Sequence, residues 1–237
     1  MNVALVIAGG SGNRMGLDVP KQFVNIYDKP VIIYTLEAFQ SHPEIDAIQV
    51  VCLDGWQSTL QSYADKYGID KLKWITTGGN SGQESIRNGV YALEGICKDE
   101  DIVVVHDGVR PLVNPSVLSD VIVTCKKYGN GVTTTPYREQ VFKVHDEIST
   151  CEYIPRETLR GIGTPQAYMF GKLLWGYKKA FKEGIGIHGS SYANTMMVDL
   201  GEKLYFAAGS DKNIKLTTQE DIDTFKAYLK VGIHELK

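Results

Sequence analysis

The chain is poor in several features that would fix a function quickly. It has four cysteines, Cys52, Cys97, Cys125 and Cys151. None stands in a CxxC pair and no histidine lies at ligand spacing, which excludes the common zinc patterns and a disulfide framework. They read as reduced thiols of a cytosolic protein. No basic run occurs and the formal net charge is −3; a nucleic-acid polymer is therefore not an expected partner, although a free nucleotide needs only local cations. No window approaches the roughly 18 apolar residues of a membrane helix, and the first residues lack the basic, apolar and small-residue blocks of a secretory signal. No membrane contact is expected, and the cytoplasm is the expected location. Solenoid-period repeats and low-complexity tracts are absent as well.

What the chain does have is concentrated at its start. The apolar run Val3-Ala-Leu-Val-Ile-Ala8 opens into Gly9-Gly10-Ser11-Gly12-Asn13-Arg14-Met15 and then, after Asp18-Val-Pro20, into Lys21-Gln22. A buried strand running into a glycine-rich loop offers backbone N–H groups to a polyanion, because glycine has no Cβ to block close approach. Arg14 and Lys21 place two cations beside that cradle, an arrangement suited to a triphosphate. A tight strand-to-loop turn with solvated basic residues is the plainer alternative. Two better-known glycine loops do not fit. A GxxxxGK[ST] loop needs Ser or Thr after its lysine, and Lys21 is followed by Gln22. A dinucleotide fingerprint needs an uninterrupted helix and an acid roughly 20 residues on. Here Pro20 intervenes and the next apolar strand, Ile45 to Leu53, ends at Asp54, too far along the chain.

Apolar runs rich in Val and Ile alternate with helix-period segments, which predicts an α/β fold with a mainly parallel sheet. Strands are expected at 3–8, 46–53, 72–76, 102–106, 131–135 and 203–208, and helices at about 31–41, 56–67, 84–94, 115–127, 170–183 and 218–230. Asn114-Pro115 and Thr217-Thr218-Gln219-Glu220-Asp221 mark two helix starts. The length suits a single domain, residues 1–237. At about 136–163 the alternation stops, and Tyr137 to Val144 followed by His145-Asp146-Glu147 reads as a hairpin insertion turning near Asp146. A two-stranded arm is marginal alone, so it is expected to pack on something, such as a second subunit.

Ligands of open parallel sheets bind at the carboxyl ends of the strands, and the residues there share one chemistry. After strand 72–76 come Gly78-Gly79 and Gln83-Glu84-Ser85; after Val103-Val104-Val105 come His106-Asp107-Gly108-Val109-Arg110-Pro111; after 203–208 comes Asn213-Ile214-Lys215. Asp107 and Arg110 fit either a turn ion pair or a ligand contact, and His106 fits a packed core histidine better than an acid–base group. Ile214 and Leu216 would bury one side of their segment and turn Lys215 toward the crevice, unless it is an ordinary exposed lysine. Arg14, Lys21 and Lys215 supply cations without a nucleophile and partnered base. Phosphoryl and nucleotidyl transfer ask for that, with Mg²⁺ completing the neutralisation.

Five segments in order, Ala8 to Met15, Pro20 to Phe23, His106 to Pro111, Gly163 to Ala167 and Asn213 to Thr218, together resemble the cytidylyltransferases that include 2-C-methyl-D-erythritol 4-phosphate cytidylyltransferase and ribitol-5-phosphate cytidylyltransferase. The resemblance implies a Rossmann-like three-layer fold with a protruding dimerisation β-arm. It also implies a homodimer that uses Mg²⁺ without a protein metal site, converting CTP and an alditol phosphate into a CDP-alditol and pyrophosphate. By resemblance Arg14, Lys21 and Lys215 stabilise the triphosphate through the pentavalent state. Ala8, Gly9, Gly10, Gly12, Gly79 and Ser85 seat the nucleotide. Asp107, Arg110 and Thr164 face the polyol, and Arg156 reaches the acceptor phosphate from the neighbouring subunit's arm. The chain departs from the methylerythritol enzymes in three places. Gly82-Gln83-Glu84-Ser85 lacks their turn arginine, Ser191-Tyr192-Ala193-Asn194 stands for their Thr-Asp-Glu-Ala, and Glu139-Gln140-Val141 stands for their Asp-Thr. Changes confined to the acceptor side favour a different polyol, such as ribitol 5-phosphate, over methylerythritol phosphate. A divergent methylerythritol enzyme and a nucleotide-binding module without turnover are the alternatives.

Overall fold

The computed structural model of the chain describes residues 1–10, 19–189 and 192–232. Four parallel strands carry its centre: β1 (Asn2–Ala8), β4 (Ala47–Cys52), β5 (Leu72–Thr77) and β6 (Ile102–Asp107). Alternate residues of β1 serve opposite faces of the sheet. Ala4, Val6 and Ala8 join the cluster built with α1 (Val31–Ser41), α2 (Gln57–Lys66) and α4 (Pro115–Tyr128). Val3 and Leu5 join the cluster built with α3 (Gly82–Ala92), α5 (Phe170–Glu183) and α6 (Ala193–Asp199). A strand buried on both faces has to be apolar throughout, which is why β1 reads as an unbroken run. Each fully buried Val or Leu in it stabilises by roughly 1.5–3 kcal/mol.

The remaining strands complete a seven-stranded sheet in the order β11-β7-β10-β6-β1-β4-β5, where β7 is Asn130–Pro136, β10 is Arg160–Met169 and β11 is Phe206–Ala208. The sheet is mostly parallel and flanked by helices, as expected. β10 is the exception, antiparallel to both β6 and β7. Sequence reading missed this strand, because Gly161-Ile-Gly-Thr-Pro165 looks like loop chemistry. Its register shifts between Ile162 and Gln166, and such an irregularity lets glycine and proline sit in a strand and re-aims a side chain. The strand expected at 203–208 shortens to β11, and α3 begins at Gly82 rather than 84 because the Ser81 hydroxyl caps it, accepting from Glu84 N–H at 3.1 Å. The short helix α6 and the hairpin of β2 (Asn25–Ile26) and β3 (Lys29–Pro30), turning through Tyr27 and Asp28 at positive φ, were also unforeseen.

Helix starts at Asn114 and Thr218 form as read. The Asn114 side chain accepts from Ser116 N–H at 2.9 Å, and Thr218 and Asp221 close a capping box at α7 (Gln219–Val231). The arm occupies 137–159, between β7 and β10. It is a hairpin of β8 (Val141–Lys143) and β9 (Glu152–Ile154) with none of its residues buried. Asp146 makes its turn, accepting from the N–H groups of Ile148 and Ser149. Phe142, Val144, Ile148 and Tyr153 are exposed on it. Among the described residues no helix is long and apolar enough to cross a membrane.

Candidate active site

A crevice of about 690 Å³ opens at the carboxyl ends of β1, β4, β5 and β6, within the size range of small-molecule sites. Ala8, Gly9, Gly10 and Lys21 line one side, Gly79 and Ser85 another, and Asp107, Thr164 and Lys215 a third. Nine of the residues expected at the site are thus brought together from distant parts of the chain. Arg14 and Gly12 lie outside the described residues.

The glycine-rich entry is shaped by close approach. A Cβ on Gly9 would stand 3.2 Å from Gly78 Cα and 3.2 Å from Ser85 Oγ, so a side chain there would push the tips of β1 and β5 apart. The buried amide of Gln22 holds the same tip, its Nε2 donating to the carbonyl oxygens of Ala8 at 2.8 Å and Gly10 at 2.9 Å. In the sequence Gln22 stands only as part of the Pro20 to Phe23 segment, and its neighbours Lys21 and Phe23 give no sign that the amide is buried. The Ser85 hydroxyl accepts from Gly79 N–H at 3.0 Å and donates to Ser81 O at 2.9 Å. It therefore shapes the Gly78–Gly79 turn, and its oxygen is already engaged on the protein side.

A charge cluster stands at the tip of β6. Asp107 Oδ2 accepts from Arg110 Nε at 2.9 Å and its Oδ1 from Lys215 Nζ at 3.2 Å, while its backbone N–H donates to Thr164 Oγ1 at 3.2 Å. Burial alone would raise the carboxyl's pKa; the adjacent Lys215 and Arg110 outweigh it and hold the group below the usual carboxylate range. Both readings of the Asp107–Arg110 pair therefore apply: it is an ion pair across a turn, and its carboxylate faces the crevice. Arg110 does not line the crevice. Its Nη1 donates to Asn213 O at 2.7 Å and it borders a second cavity of about 270 Å³ with Thr133, Thr134 and Ser210. Lys215 points as the Ile214–Leu216 pattern predicts, and its ammonium also lies 5.5 Å from the centre of the Tyr192 ring.

His106 is fully buried against the Phe39 ring. Its Nε2 lies 3.0 Å from Arg110 O and its Nδ1 has no partner among the described residues. Desolvation pushes its pKa down to about 4, so the ring is neutral near pH 7 and belongs to the core. Arg156 opens a short 3-10 turn after β9, exposed, with its Nη1 donating to Arg138 O at 3.1 Å. It lines neither cavity of its own chain. Among the described residues no group of three His, Cys, Asp or Glu side chains could hold a metal ion, and Asp107 is the one carboxylate among the described residues lining the crevice.

A mostly parallel sheet whose strand tips gather backbone amides, two lysines and a cation-bound carboxylate around one cavity defines an α/β protein that handles phosphorylated ligands. The chain belongs to the 2-C-methyl-D-erythritol 4-phosphate cytidylyltransferase (IspD) family, whose model matches residues 2–231. It is 55% identical to the ribitol-5-phosphate cytidylyltransferase of Lacticaseibacillus paracasei, over 97% of this chain and 98% of that protein. It is 37% identical to the protein of the same name from Vibrio parahaemolyticus, over 97% and 96%. With the 2-C-methyl-D-erythritol 4-phosphate cytidylyltransferase of Clostridium tetani it shares 35% identity, over 97% and 90%. Among solved structures, the 4-diphosphocytidyl-2C-methyl-D-erythritol synthase of Anaerococcus prevotii superposes with a TM-score of 0.81 at 24% identity, covering 97% of this chain and 98% of that one. The 2-C-methyl-D-erythritol 4-phosphate cytidylyltransferase of Thermus thermophilus gives 0.76 at 21%, covering 97% and 100%. At such identities these two establish the fold alone.

Proposed function

We propose that the protein is a cytidylyltransferase that transfers CMP from CTP to ribitol 5-phosphate, giving CDP-ribitol and pyrophosphate, in the cytoplasm. The observation that carries the choice of acceptor is the 55% identity to a ribitol-5-phosphate cytidylyltransferase, against 35% for the methylerythritol enzyme of Clostridium tetani. The departures from the methylerythritol enzymes at 139–141 and 191–194 point the same way.

An oxygen of the acceptor phosphate attacks the α-phosphorus of CTP, and the bond to the β-phosphate oxygen breaks to release pyrophosphate. The attacking oxygens are ionised near neutral pH, so no general base is needed, and a neutral buried His106 is no obstacle. What the reaction needs is positioning and charge neutralisation. The amides of the Gly9–Gly10 entry cradle the triphosphate, Lys21 and Arg14 face its charge, and Lys215, oriented by Asp107, meets the α-phosphoryl group as charge develops on it. Both oxygens of Asp107 are already held by cations, so the donor set fits a magnesium ion that arrives on the triphosphate as part of the substrate. When bound, that ion offsets part of the phosphate charge.

A homodimer built through the 137–159 arm completes the reading. Exposed Phe142, Val144, Ile148 and Tyr153 give the hairpin an apolar surface for a second copy, and Arg156 beside it would face the acceptor phosphate in the neighbouring crevice. A pyrophosphate-release screen of the four nucleoside triphosphates against a panel of polyol phosphates tests the function. Release is expected from CTP with ribitol 5-phosphate and not from CTP alone. A preference for methylerythritol phosphate would move the protein to the isoprenoid reaction, and release with no acceptor present would refute the transfer altogether.

A further inference from the structure

The 82–85 turn contains Gln83, a side chain that does not line the crevice and is 1% exposed. An amide buried this deeply is costly unless all its hydrogen-bonding groups find partners. Gln83 satisfies them with three separate elements. Its Nε2 donates to Gly186 O at 3.0 Å and to Tyr192 O at 3.0 Å, and its Oε1 accepts from Tyr177 Oη at 3.0 Å. The opposite amide orientation would set an oxygen against two carbonyls, so the network fixes which end is which. Tyr177 is fully buried and desolvation raises its pKa well above the ordinary value, which keeps its hydroxyl a donor.

Of the two residues whose carbonyls Gln83 holds, Tyr192 lines the crevice and Gly186 packs behind it on α6. Tyr192 precedes the first residue of α6, without a side-chain cap of its own, and its carbonyl is the acceptor with which that helix starts. Its ring lines the crevice and lies under the Lys215 ammonium. Gly186, at φ +63°, is pressed so closely on α6 that a Cβ there would stand 2.8 Å from Met196 Cα. The start of α3, the middle of α5, the loop that follows it and the start of α6 thus meet on one amide.

We propose that Gln83 is a positioning residue for the acceptor: by clamping the Gly186 and Tyr192 carbonyls it sets the segment that carries Tyr192 into the crevice. This rests on the cytidylyltransferase reading for its substrate, but the clamp itself has an independent readout. Its signature is asymmetric. On the nucleotide side, Gln22 bonds to Ala8 O and Gly10 O, and Ser81 and Ser85 to Glu84 N–H, Gly79 N–H and each other, none of them through the Gln83 amide, so loosening the clamp is expected to act on the polyol phosphate more than on CTP.

Gln83→Leu keeps the volume and removes the clamp; Gln83→Asn keeps the amide but is one methylene too short to reach both carbonyls. Two measurements on the full-length protein are needed: KM for ribitol 5-phosphate and for CTP, and amide hydrogen exchange across Ala193–Asp199. Each variant is expected to raise the acceptor KM by about tenfold with the CTP KM within about twofold, and to speed exchange of the Met196 amide, which donates to Tyr192 O, by about tenfold. Equal changes in both KM values, unchanged KM values, or unchanged exchange in α6 would overturn the proposal. A wild-type protein with no pyrophosphate release from any pair would refute the cytidylyltransferase reading instead, and the exchange experiment would still decide whether Gln83 is the clamp.

Discussion

Replacing His106 with glutamine is expected to change how stability depends on pH, by an amount the structure sets. Desolvation lowers the imidazole from an ordinary 6.5 to about 4. Between those values the unfolded chain binds a proton that the native state refuses, so stability falls as the pH drops through 6.5 toward 4 and is flat above. At ~1.4 kcal/mol per pH unit over that window the loss approaches about 3 kcal/mol, a large share of a typical domain's margin. Glutamine can still donate an N–H to Arg110 O, the bond His106 Nε2 occupies at 3.0 Å, yet it does not titrate. Urea unfolding followed by tryptophan fluorescence at pH 7.5, 6, 5 and 4.5 should show the wild type losing up to about 3 kcal/mol more than the His106→Gln variant. Carboxylates other than the adjacent Asp107, whose charge couples to the imidazole, contribute equally to both proteins, so the difference isolates this site. Parallel loss in the two proteins would refute the assignment of His106 as a neutral core residue. If turnover in the wild type also carried a limb near pH 6.5 that vanished in the variant, His106 would have to be moved into the reaction.

Lys21→Ala and Lys215→Ala should each lower kcat by orders of magnitude in the pyrophosphate assay with little loss of folding stability; unchanged rates in both would defeat the electrostatic account. Arg156→Ala should raise KM for the polyol phosphate more than KM for CTP, and equal effects on the two would argue against a reach into the neighbouring crevice.

Most of the central sheet was legible because burial on both faces leaves a strong signal. β1, β4 and β6 are nearly unbroken apolar runs, whereas the edge strand β5 is mixed and has no buried residue; the Asn114 and Thr218 starts follow from local capping chemistry. The elements that escaped notice are held by contacts distant in sequence. β10 contains two glycines and a proline that argue against a strand, and it becomes one only because β6 and β7 offer it ladders on both sides. α6 is short and begins at a residue with no side-chain cap, and its first carbonyl accepts not only from Thr195 and Met196 of the helix but also from Gln83, 109 positions away. The site shows the same division. Residues that point into the crevice carry chemistry readable in their type, such as Lys21, Lys215 and Asp107. Residues that place them, such as Gln22 and Gln83, are amides whose partners are backbone carbonyls, and a backbone carbonyl has no sequence signature.

The pairing of Asp107 with both Arg110 and Lys215 constrains where the positive charge for the reaction can come from. Its carboxylate matches one of those two cations outright, and Arg110 is further occupied by Asn213 O, behind the crevice wall. An acceptor phosphate adds roughly two negative charges to a cavity that must already hold a triphosphate. The cluster at β6 therefore orients Lys215 more than it supplies net charge, and the shortfall has to be met from outside that wall. Beyond Lys21 and Arg14 on the glycine-rich side, magnesium carried by CTP and Arg156 from a second copy are the two further proposed sources. They act on different substrates: loss of the first would weaken handling of the triphosphate, while loss of the second would leave CTP seated and the acceptor phosphate without its cation.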